Sequence, residues 1–189
     1  MGKGKTIWHC HVAISLDGKI ARADGSFDWL EPYPPQEFGI DAFVGKVDAI
    51  LMGRDTYDVV RGFGEWPHPG KPTIVMTNRP LDNAPPGVEA RSGDLGVVAA
   101  ELEARGYGLV WVEGGGQVIR SMIAAGKLDV FEMAILPIVL GDGIPPDSAG
   151  HARTQARPGR VRTAQRRRAA CRLQTYPVTC SVPRRHSQS

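Results

Sequence analysis

The sequence predicts an α/β fold built on a mostly parallel central sheet. Two observations predict it. Short apolar, β-branched runs typical of buried strands alternate with stretches of helical periodicity, and glycines stand where the strands turn into helices. At 189 residues the chain is long enough for one domain with a buried core. Strands separated by helices favour crossover connections, which place the strands side by side and parallel.

The individual elements follow from the spacing of apolar residues. A first strand is predicted at residues 6–14, followed by a polar loop with Asp-Gly turns from residue 15 to about 35. A helix is predicted at residues 37–46, because Phe38 and Phe43 share its apolar face. The remaining predicted elements are a strand at 47–52, a short helix at 55–60, a strand at 71–77, a helix at 95–105 between Asp94 and Gly106, a strand at 108–113, a helix at 117–125 and an apolar strand at 128–140 interrupted at Pro137.

Three consecutive glycines, Gly114–Gly116, separate the strand at 108–113 from the helix at 117–125. A strand that turns through bare backbone into a helix presents unpaired N–H groups and the positive end of the helix dipole. Phosphate binds well at such a turn, and glycine lets it approach the backbone closely. The turn therefore predicts a nucleotide-like ligand, and in the first place a cofactor.

Two further strand ends carry residues suited to phosphate. The turn at residues 53–56 offers Arg54 and a threonine, and its alternative interpretation is an ordinary junction with a solvated arginine. At residues 77–79, Arg79 suits a ribose 2′-phosphate, which favours NADPH over NADH; a solvated loop arginine is an equal alternative. Ligands of open α/β sheets collect at the carboxyl ends of strands, so three such turns together favour binding.

The histidines and cysteines do not predict a metal site. His9 and His11 alternate on a strand and so face the same way, but the spacing suggests no third ligand. Two polar positions on a strand face are the expectation. The three cysteines form no CxxC pair, and with no secretory signal and no apolar run near the roughly 20 residues of a membrane span, a cytoplasmic protein is expected.

The charge changes abruptly near residue 145. Residues 1–145 hold 13 lysines and arginines against 19 acids, whereas residues 146–189 hold ten arginines and a single acid. Few apolar residues accompany this arginine excess, so the tail is expected to be disordered or poorly packed. Residues 166–168 are all arginine and suit an anionic surface, but Tyr176 is the tail's only aromatic residue, and a nucleic-acid partner is not expected.

Taken in order, these motifs resemble the dihydrofolate reductase superfamily, in the branch that holds the riboflavin-pathway pyrimidine reductase domain and its stand-alone relatives. Each segment alone is weak, and the ordered set over residues 7–145 is specific. No deaminase zinc signature accompanies them. The matching segments are residues 13–21, 24–29, 47–57, 77–79, 112–117 and 136–145.

The resemblance implies a three-layer fold that binds NADPH and passes a hydride to a small heterocycle. Dihydrofolate and the ribosylaminopyrimidine of riboflavin synthesis stay open as substrates, and a homodimer stays open as the assembly. The proton donor would be Glu37, by position in folate reductases, or Asp17 or Glu113; Glu37 can equally be a solvated first-turn acid. Ser15, Trp29 and Phe38 would border the substrate. The cofactor would lie against Ala13, Asp17, Gly18, Ile20, Gly53, Arg54, Thr56, Thr77, Asn78, Arg79, Gly114, Gly115, Gly116, Gln117 and Val118.

The chain departs from the family after Pro145. There the family continues with two strands that complete the sheet as an antiparallel hairpin, and this sequence shows no alternating apolar pattern. We therefore expect a reductase domain at 1–145, loss of the hairpin, and a tail at 146–189 that is disordered or read in a shifted frame. Impaired activity would follow. Two alternatives to a reductase stay open: an NADPH-binding relative without turnover, and an anionic-surface or nucleic-acid binder acting through the tail.

Overall fold

An eight-stranded sheet forms the centre of the computed structural model, which describes residues 4–34 and 38–146 and the backbone of two later strands. All the predicted strands are present. Most of their first and last residues differ from the predicted ones by only a few positions. In chain order the strands are β1 (Ile7–Ser15), β2 (Ala21–Arg22), β3 (Ala49–Gly53), β4 (Thr73–Met76), β5 (Val88–Arg91), β6 (Leu109–Gly114), β7 (Val130–Leu136), β8 (Gly143–Ile144), β9 (Arg157–Val161) and β10 (Pro177–Ser181).

The order of the strands across the sheet is β5-β4-β3-β6-β1-β7-β10-β9. The first six strands run parallel to one another, as the alternation of strands and helices predicts. β2 and β8 pair separately as a short antiparallel ribbon. β1 lies between β6 and β7 and is parallel to both, so the carboxyl ends of these three strands lie at the same edge of the sheet. Ligands of α/β sheets bind at this edge.

Helices cover both faces of the sheet. They are α1 (Ile40–Val44), α2 (Arg54–Gly62), α3 (Leu95–Arg105) and α4 (Gly116–Ala124), with one turn of 3-10 helix at Asp28–Leu30. α3 and α4 pack on one face, where the buried side chains of Trp8, Leu51 and Val112 meet Leu102 and Ile119. No helix among the described residues has both the length and the apolarity needed to cross a membrane.

The opposite face of the sheet holds a second apolar cluster around Ile50, Met52 and Trp111, with Tyr57 of α2 and Phe43 of α1 packed against it. The strand period of two sends alternate residues to the two faces. This period places Trp8 and Cys10 of β1 in the first cluster, where burial raises the pKa of the Cys10 thiol. His9 and His11 lie on the opposite face of the sheet, where their rings contact Phe43 of α1.

The structure corrects the expectation that the terminal hairpin is lost. β10 pairs antiparallel with β7, and β9 pairs antiparallel with β10. The reason is that the main chain of an edge strand can pair with another strand whatever its side chains are, so an unusual composition does not exclude a ladder. Pro158 lies on the outermost strand, where proline is tolerated. The predicted disorder and frame shift of residues 146–189 stay predictions, because the remainder of this segment lies outside the described residues.

Two other elements differ from the prediction. β5 is absent from the prediction, because the run Val88–Arg91 has only four residues, of which Val88 and Ala90 alone are apolar, and it is held by its pairing with β4. The helix predicted at residues 37–46 is limited to Ile40–Val44 in the described part of the chain. Gly39 precedes it with φ of 71°. The strand predicted at 128–140 ends at Leu136, directly before the proline that was expected to interrupt it.

Candidate functional site

Two glycine junctions approach each other at the carboxyl edge of the sheet. Gly53 ends β3 and Gly115 follows β6, and a Cβ built on Gly115 would lie 3.5 Å from the Cα of Gly53 and 3.3 Å from Oγ1 of Thr56. Gly114 and Gly115 have φ of 148° and 82°, a region that residues with side chains rarely adopt. Side chains at these positions would therefore separate the junctions, and glycine keeps them in contact.

The helices that begin at these junctions have free N-termini. Gly53 and Gly115 are the N-cap residues of α2 and α4, and neither helix has a side-chain cap. The first amides of a helix have no carbonyl acceptor within it, so they point outward and carry partial positive charge. At α3, by contrast, Oδ1 of Asp94 accepts the N–H of Val97 at 3.1 Å.

A large cavity of about 1550 Å³ opens over these junctions. Its size exceeds the range usual for a single drug-sized ligand, roughly 300–1,000 Å³, and suits a dinucleotide with a second small molecule. The cavity is lined by most of the residues that the family resemblance assigns to a cofactor. These are Ala13, Ile20, Gly53, Arg54, Thr56, Thr77, Asn78, Gly114, Gly115, Gly116, Gln117 and Val118.

Arg54 lies in the wall of this cavity, Arg79 follows β4 outside the wall, and both contact acids. Nε of Arg54 donates to both carboxylate oxygens of Asp58, and its Nη1 donates to the carbonyl of Pro80 at 2.8 Å. Arg79 is outside the cavity wall and 63% exposed, with Nη2 3.7 Å from Asp58. Arg54 thus ties α2 to the loop after β4, and Arg79 is the more exposed of the two cations.

The turn after β1 is organised by Asp17. Its Oδ1 accepts the hydroxyl of Ser15 at 2.7 Å and the N–H of Leu140 at 3.0 Å, and its Oδ2 accepts the N–H of Gly141 at 2.9 Å. These hydrogen bonds, that of Ser15 first, lower the pKa of Asp17 to about 2. Asp17 is therefore ionised at neutral pH and joins two loops. Ser15, Asp17 and Gly18 all lie outside the cavity walls.

Glu113 lies in the cavity wall directly before the glycine run. Its Oε1 is 2.9 Å from Nε2 of His68, and the two side chains are only 12% and 7% exposed. Oε2 of Glu113 and Nδ1 of His68 are buried without a hydrogen-bond partner among the described residues. The His68 ring packs edge-on against Trp66 and Trp111. Glu113 is among the residues predicted from the sequence, whereas His68 is not, since no local pattern connects them.

A smaller cavity of about 380 Å³ adjoins the larger one and shares His11 and Ala13 with it. Phe38, predicted to border the substrate, lines this cavity together with Leu30 and Leu136. Trp29 does not line either cavity, because the 3-10 turn directs it inward and leaves it 3% exposed. Glu37 lies outside the described residues.

A further polar cluster, formed by His9, His11 and Glu132, joins β1 to β7 beneath α1. Oε2 of Glu132 is 3.1 Å from Nε2 of His9 and 3.8 Å from Nδ1 of His11. Burial lowers the pKa of His11, and the charge of Glu132 opposes that shift. The two imidazoles contact the ring of Phe43, with centroids 4.6 and 5.1 Å away. The sequence suggested no third partner for the histidines, because Glu132 lies more than a hundred residues along the chain.

Comparison with known proteins shows the family to which the chain belongs. Residues 8–171 match the family model of the RibD C-terminal domain, so the match continues past the change in composition. The uncharacterized protein YwjB of Bacillus subtilis (strain 168) is 31% identical over 137 residues, which are 71% of this chain and 79% of that protein.

Two solved structures confirm the predicted fold class. A putative riboflavin biosynthesis protein from Shewanella sp. PV-4 superposes with a TM-score of 0.79 at 27% identity, covering 95% of this chain and 100% of that one. A dihydrofolate reductase from Enterococcus faecalis, in complex with NADP(H), superposes with a TM-score of 0.60 at 20% identity, covering 93% and 96%. The second likeness concerns the fold alone.

Proposed function

Because the chain belongs to the RibD C-terminal domain family, we propose that it is an NADPH-dependent reductase that transfers hydride to a pyrimidine, pterin or related small heterocycle. Family membership supports a reductase-type oxidoreductase. The cofactor and the substrate class are the finer part of the proposal, and they rest on the geometry of the two cavities.

The contact between the two bare junctions carries the proposal. Gly53 and Gly115 bring two uncapped helix N-termini to one point on the cavity wall, with the Thr56 hydroxyl beside them. Converging N–H groups and helix dipoles stabilise an anion that reaches the backbone closely. This donor set fits the diphosphate of a dinucleotide. The residues proposed to hold it are Gly53, Arg54, Thr56, Gly114, Gly115, Gly116, Gln117 and Val118.

The adenosine end is proposed to lie over the loop after β4. Thr77 and Asn78 line the cavity there, and the exposed guanidinium of Arg79 can rotate toward a 2′-phosphate. Its present ion pairs with Asp55 and Asp58 are long, at 4.0 and 3.7 Å, and solvent-exposed, so exchanging them for a phosphate costs little. This placement favours NADPH over NADH.

The nicotinamide end is proposed to lie where the two cavities meet, against Ala13 and Ile20. A reduced nicotinamide bound there supplies a hydride. The heterocycle would occupy the smaller cavity, whose wall includes the apolar side chains of Phe38, Ile40 and Leu136. These side chains exclude water from the substrate and orient its ring toward Ala13.

Glu113 is proposed to supply the proton that accompanies hydride transfer. Its buried Oε2 has no protein partner among the described residues, and its Oε1 is oriented by His68. Because Glu113 lines the larger cavity and not the smaller one, it would deliver this proton through an oriented water molecule. Asp17 is not assigned this role, because its pKa of about 2 leaves it without a proton at neutral pH. Glu37 stays a second candidate.

Calorimetry with NADPH and NADH, followed by an assay of cofactor oxidation, tests the proposal on the full chain. We expect NADPH to bind and to be oxidised with at least one of two substrates, 7,8-dihydrofolate or 5-amino-6-(5-phosphoribosylamino)uracil. If neither NADPH nor NADH gives a heat of binding, the proposal is overturned. Binding without oxidation on a broad panel of pterins and pyrimidines would instead identify a cofactor-binding relative without turnover.

Replacing the two acids one at a time separates the candidate proton donors. Glu113→Gln should lower kcat by roughly 10²-fold or more, the usual contribution of a general acid, and should flatten the pH profile while NADPH still binds. Glu37→Gln is the matched comparison, since it makes the same chemical change. If only Glu37→Gln lowers kcat, the assignment of Glu113 is wrong and the hydride-transfer proposal still stands.

A further inference from the structure

Two histidines and a glutamate that the proposed reaction does not use meet on one face of the sheet. His9 and His11 alternate on β1 and share that face, and Glu132 is the register partner of His11 on the parallel neighbour β7. One nitrogen of each imidazole and one carboxylate oxygen all lie within 4.8 Å of one another. A chain separation of more than a hundred residues is closed here by strand pairing alone.

Hydrogen bonding alone does not satisfy this cluster. Oε2 of Glu132 is within hydrogen-bond distance of His9, but Nδ1 of His11 is 3.8 Å away, beyond the limit for such a bond. His11 is 8% exposed, and its Nδ1 has no hydrogen-bond partner within the part of the chain that the structure describes. A buried imidazole nitrogen left in this state is costly and calls for a partner.

The spacing of the three atoms suits a metal ion. Ligands at about 2.1 Å from a tetrahedral ion are separated by about 3.4 Å. The separations from Glu132 to the two histidines, 3.1 and 3.8 Å, lie on either side of this value. A cation at the centre would bond to Nδ1 of His11 and to both other groups at once.

We propose that His9, His11 and Glu132 bind one divalent transition-metal ion, of which Zn²⁺ is the representative. Two imidazoles and one carboxylate favour Zn²⁺, Co²⁺ or Ni²⁺ over Mg²⁺ and Ca²⁺, which prefer oxygen ligands. The side chains of His9 and Glu132 are 16% and 26% exposed, which gives the ion a path from solvent. Three protein ligands leave a fourth position open, and His11 also lines both cavities, so the ion would lie in their shared wall.

Titration of the chelator-treated full chain with Co²⁺ and Zn²⁺ tests this proposal. We expect one ion per chain, visible absorption bands from Co²⁺ in a site of low symmetry, and displacement of Co²⁺ by Zn²⁺. Glu132→Gln and His9→Gln should each weaken Zn²⁺ binding by at least 10-fold in equilibrium dialysis, with circular dichroism showing that the variants are folded. Mg²⁺ should not displace the ion.

Two control variants make the test specific to this cluster. His68→Gln removes another buried histidine, and the double variant His151→Asn, His186→Asn removes the histidines of the tail; both should bind Zn²⁺ as the parent does. Failure of the parent to bind Co²⁺ or Zn²⁺, unchanged binding in Glu132→Gln, or loss of binding in the tail variant would each overturn the proposal. None of these outcomes bears on NADPH binding, so the two proposals are tested separately.

Discussion

Two strand-to-helix junctions on the same edge of the sheet are built in opposite ways. Between β5 and α3, Asp94 lies in an extended conformation and its carboxylate accepts the N–H of Val97. Between β6 and α4, Gly115 has φ of 82° and offers no side chain. Both junctions line the large cavity. The first carries its own anion at the helix N-terminus, whereas the second leaves its amides for an external one.

The surroundings of each junction match its construction. A Cβ on Gly96 would lie 2.9 Å from Oδ1 of Asp94, so glycine at that position makes room for the capping side chain. At the other junction, a Cβ on Gly115 would press against Thr56 and the backbone of Gly53. An N-cap contributes about 1 kcal/mol to stability, which α4 forgoes. The difference shows that α4 has its uncapped end at a cavity, where its amides are available to the proposed ligand.

Installing aspartate at the bare junction should have the largest effect. Gly115→Asp introduces a negative charge where the diphosphate is proposed to bind and forces a Cβ into the contact with Gly53. Loss of two charge-assisted hydrogen bonds, at roughly 1.5 kcal/mol each, lowers NADPH affinity on the order of 100-fold. Calorimetry measures this loss directly.

The control for this variant is Gly70→Asp, which places the same side chain at another positive φ, 75°, with open space around it. It should bind NADPH as the parent does, although it also loses stability from backbone strain. Equal affinity of Gly115→Asp and the parent would show that the bare junction does not hold the cofactor.

Removing the cap of the other junction should reduce stability and leave binding intact. Asp94→Ala leaves the first amides of α3 without their side-chain acceptor and should lower the free energy of unfolding by about 1 kcal/mol. Urea denaturation measures the change. Asp94→Asn keeps the acceptor without the charge and should recover most of the stability. A marked loss of NADPH affinity in Asp94→Asn would mean that this junction, too, belongs to the cofactor site.

The smallest effect is expected at Asp17, where an exposed carboxylate caps loop amides at the same edge. Its pKa in the folded protein is about 2, below its ordinary value of 3.8, so its contribution to stability is complete above that ordinary value. The contribution disappears as the pH falls toward 2. Asp17→Asn should therefore be less stable than the parent at pH 7, and the difference in urea midpoint should shrink between pH 4 and pH 2.

Asp142→Asn serves as the comparison for Asp17, because it removes an exposed carboxylate next to the same loop, one residue beyond Gly141. Its urea midpoint should follow that of the parent at every pH. If the difference between Asp17→Asn and the parent is instead independent of pH down to pH 2, the hydrogen bonds to Leu140 and Gly141 do not carry the effect.

Much of the fold could be predicted from local pattern. The helix at 95–105 was predicted with the bounds that the structure has, because a capping aspartate and a terminal glycine mark its two ends. The buried strands were found from their apolar runs. β5 and the terminal hairpin were not, because the first is a run of only four residues with two apolar ones, the second follows a change in composition, and both are held by backbone pairing with a neighbour.

The candidate site was predictable to the same extent. Gly53 and Gly114–Gly116 could be singled out because the order of strand, glycine and helix is a local feature, and the structure brings them together in one cavity wall. That they bind phosphate stays a prediction. Asp17 was expected at the cofactor, whereas its carboxylate contacts amides more than a hundred residues away. His68 could not be assigned to Glu113, and Glu132 could not be assigned to His11, because neither pair is close in the chain.

By itself, the sequence determined where strands become helices, which of those turns lack a side chain, and hence that an anionic ligand is expected at the sheet's carboxyl edge. These are properties of neighbouring residues, governed by backbone conformation and helix ends. Only the tertiary structure decided which distant side chains meet, because the strand order β6-β1-β7 brings together segments that are far apart in the chain. The cluster of His9, His11 and Glu132 exists for that reason. The Glu113–His68 pair forms because the segment between α2 and β4 packs against β6.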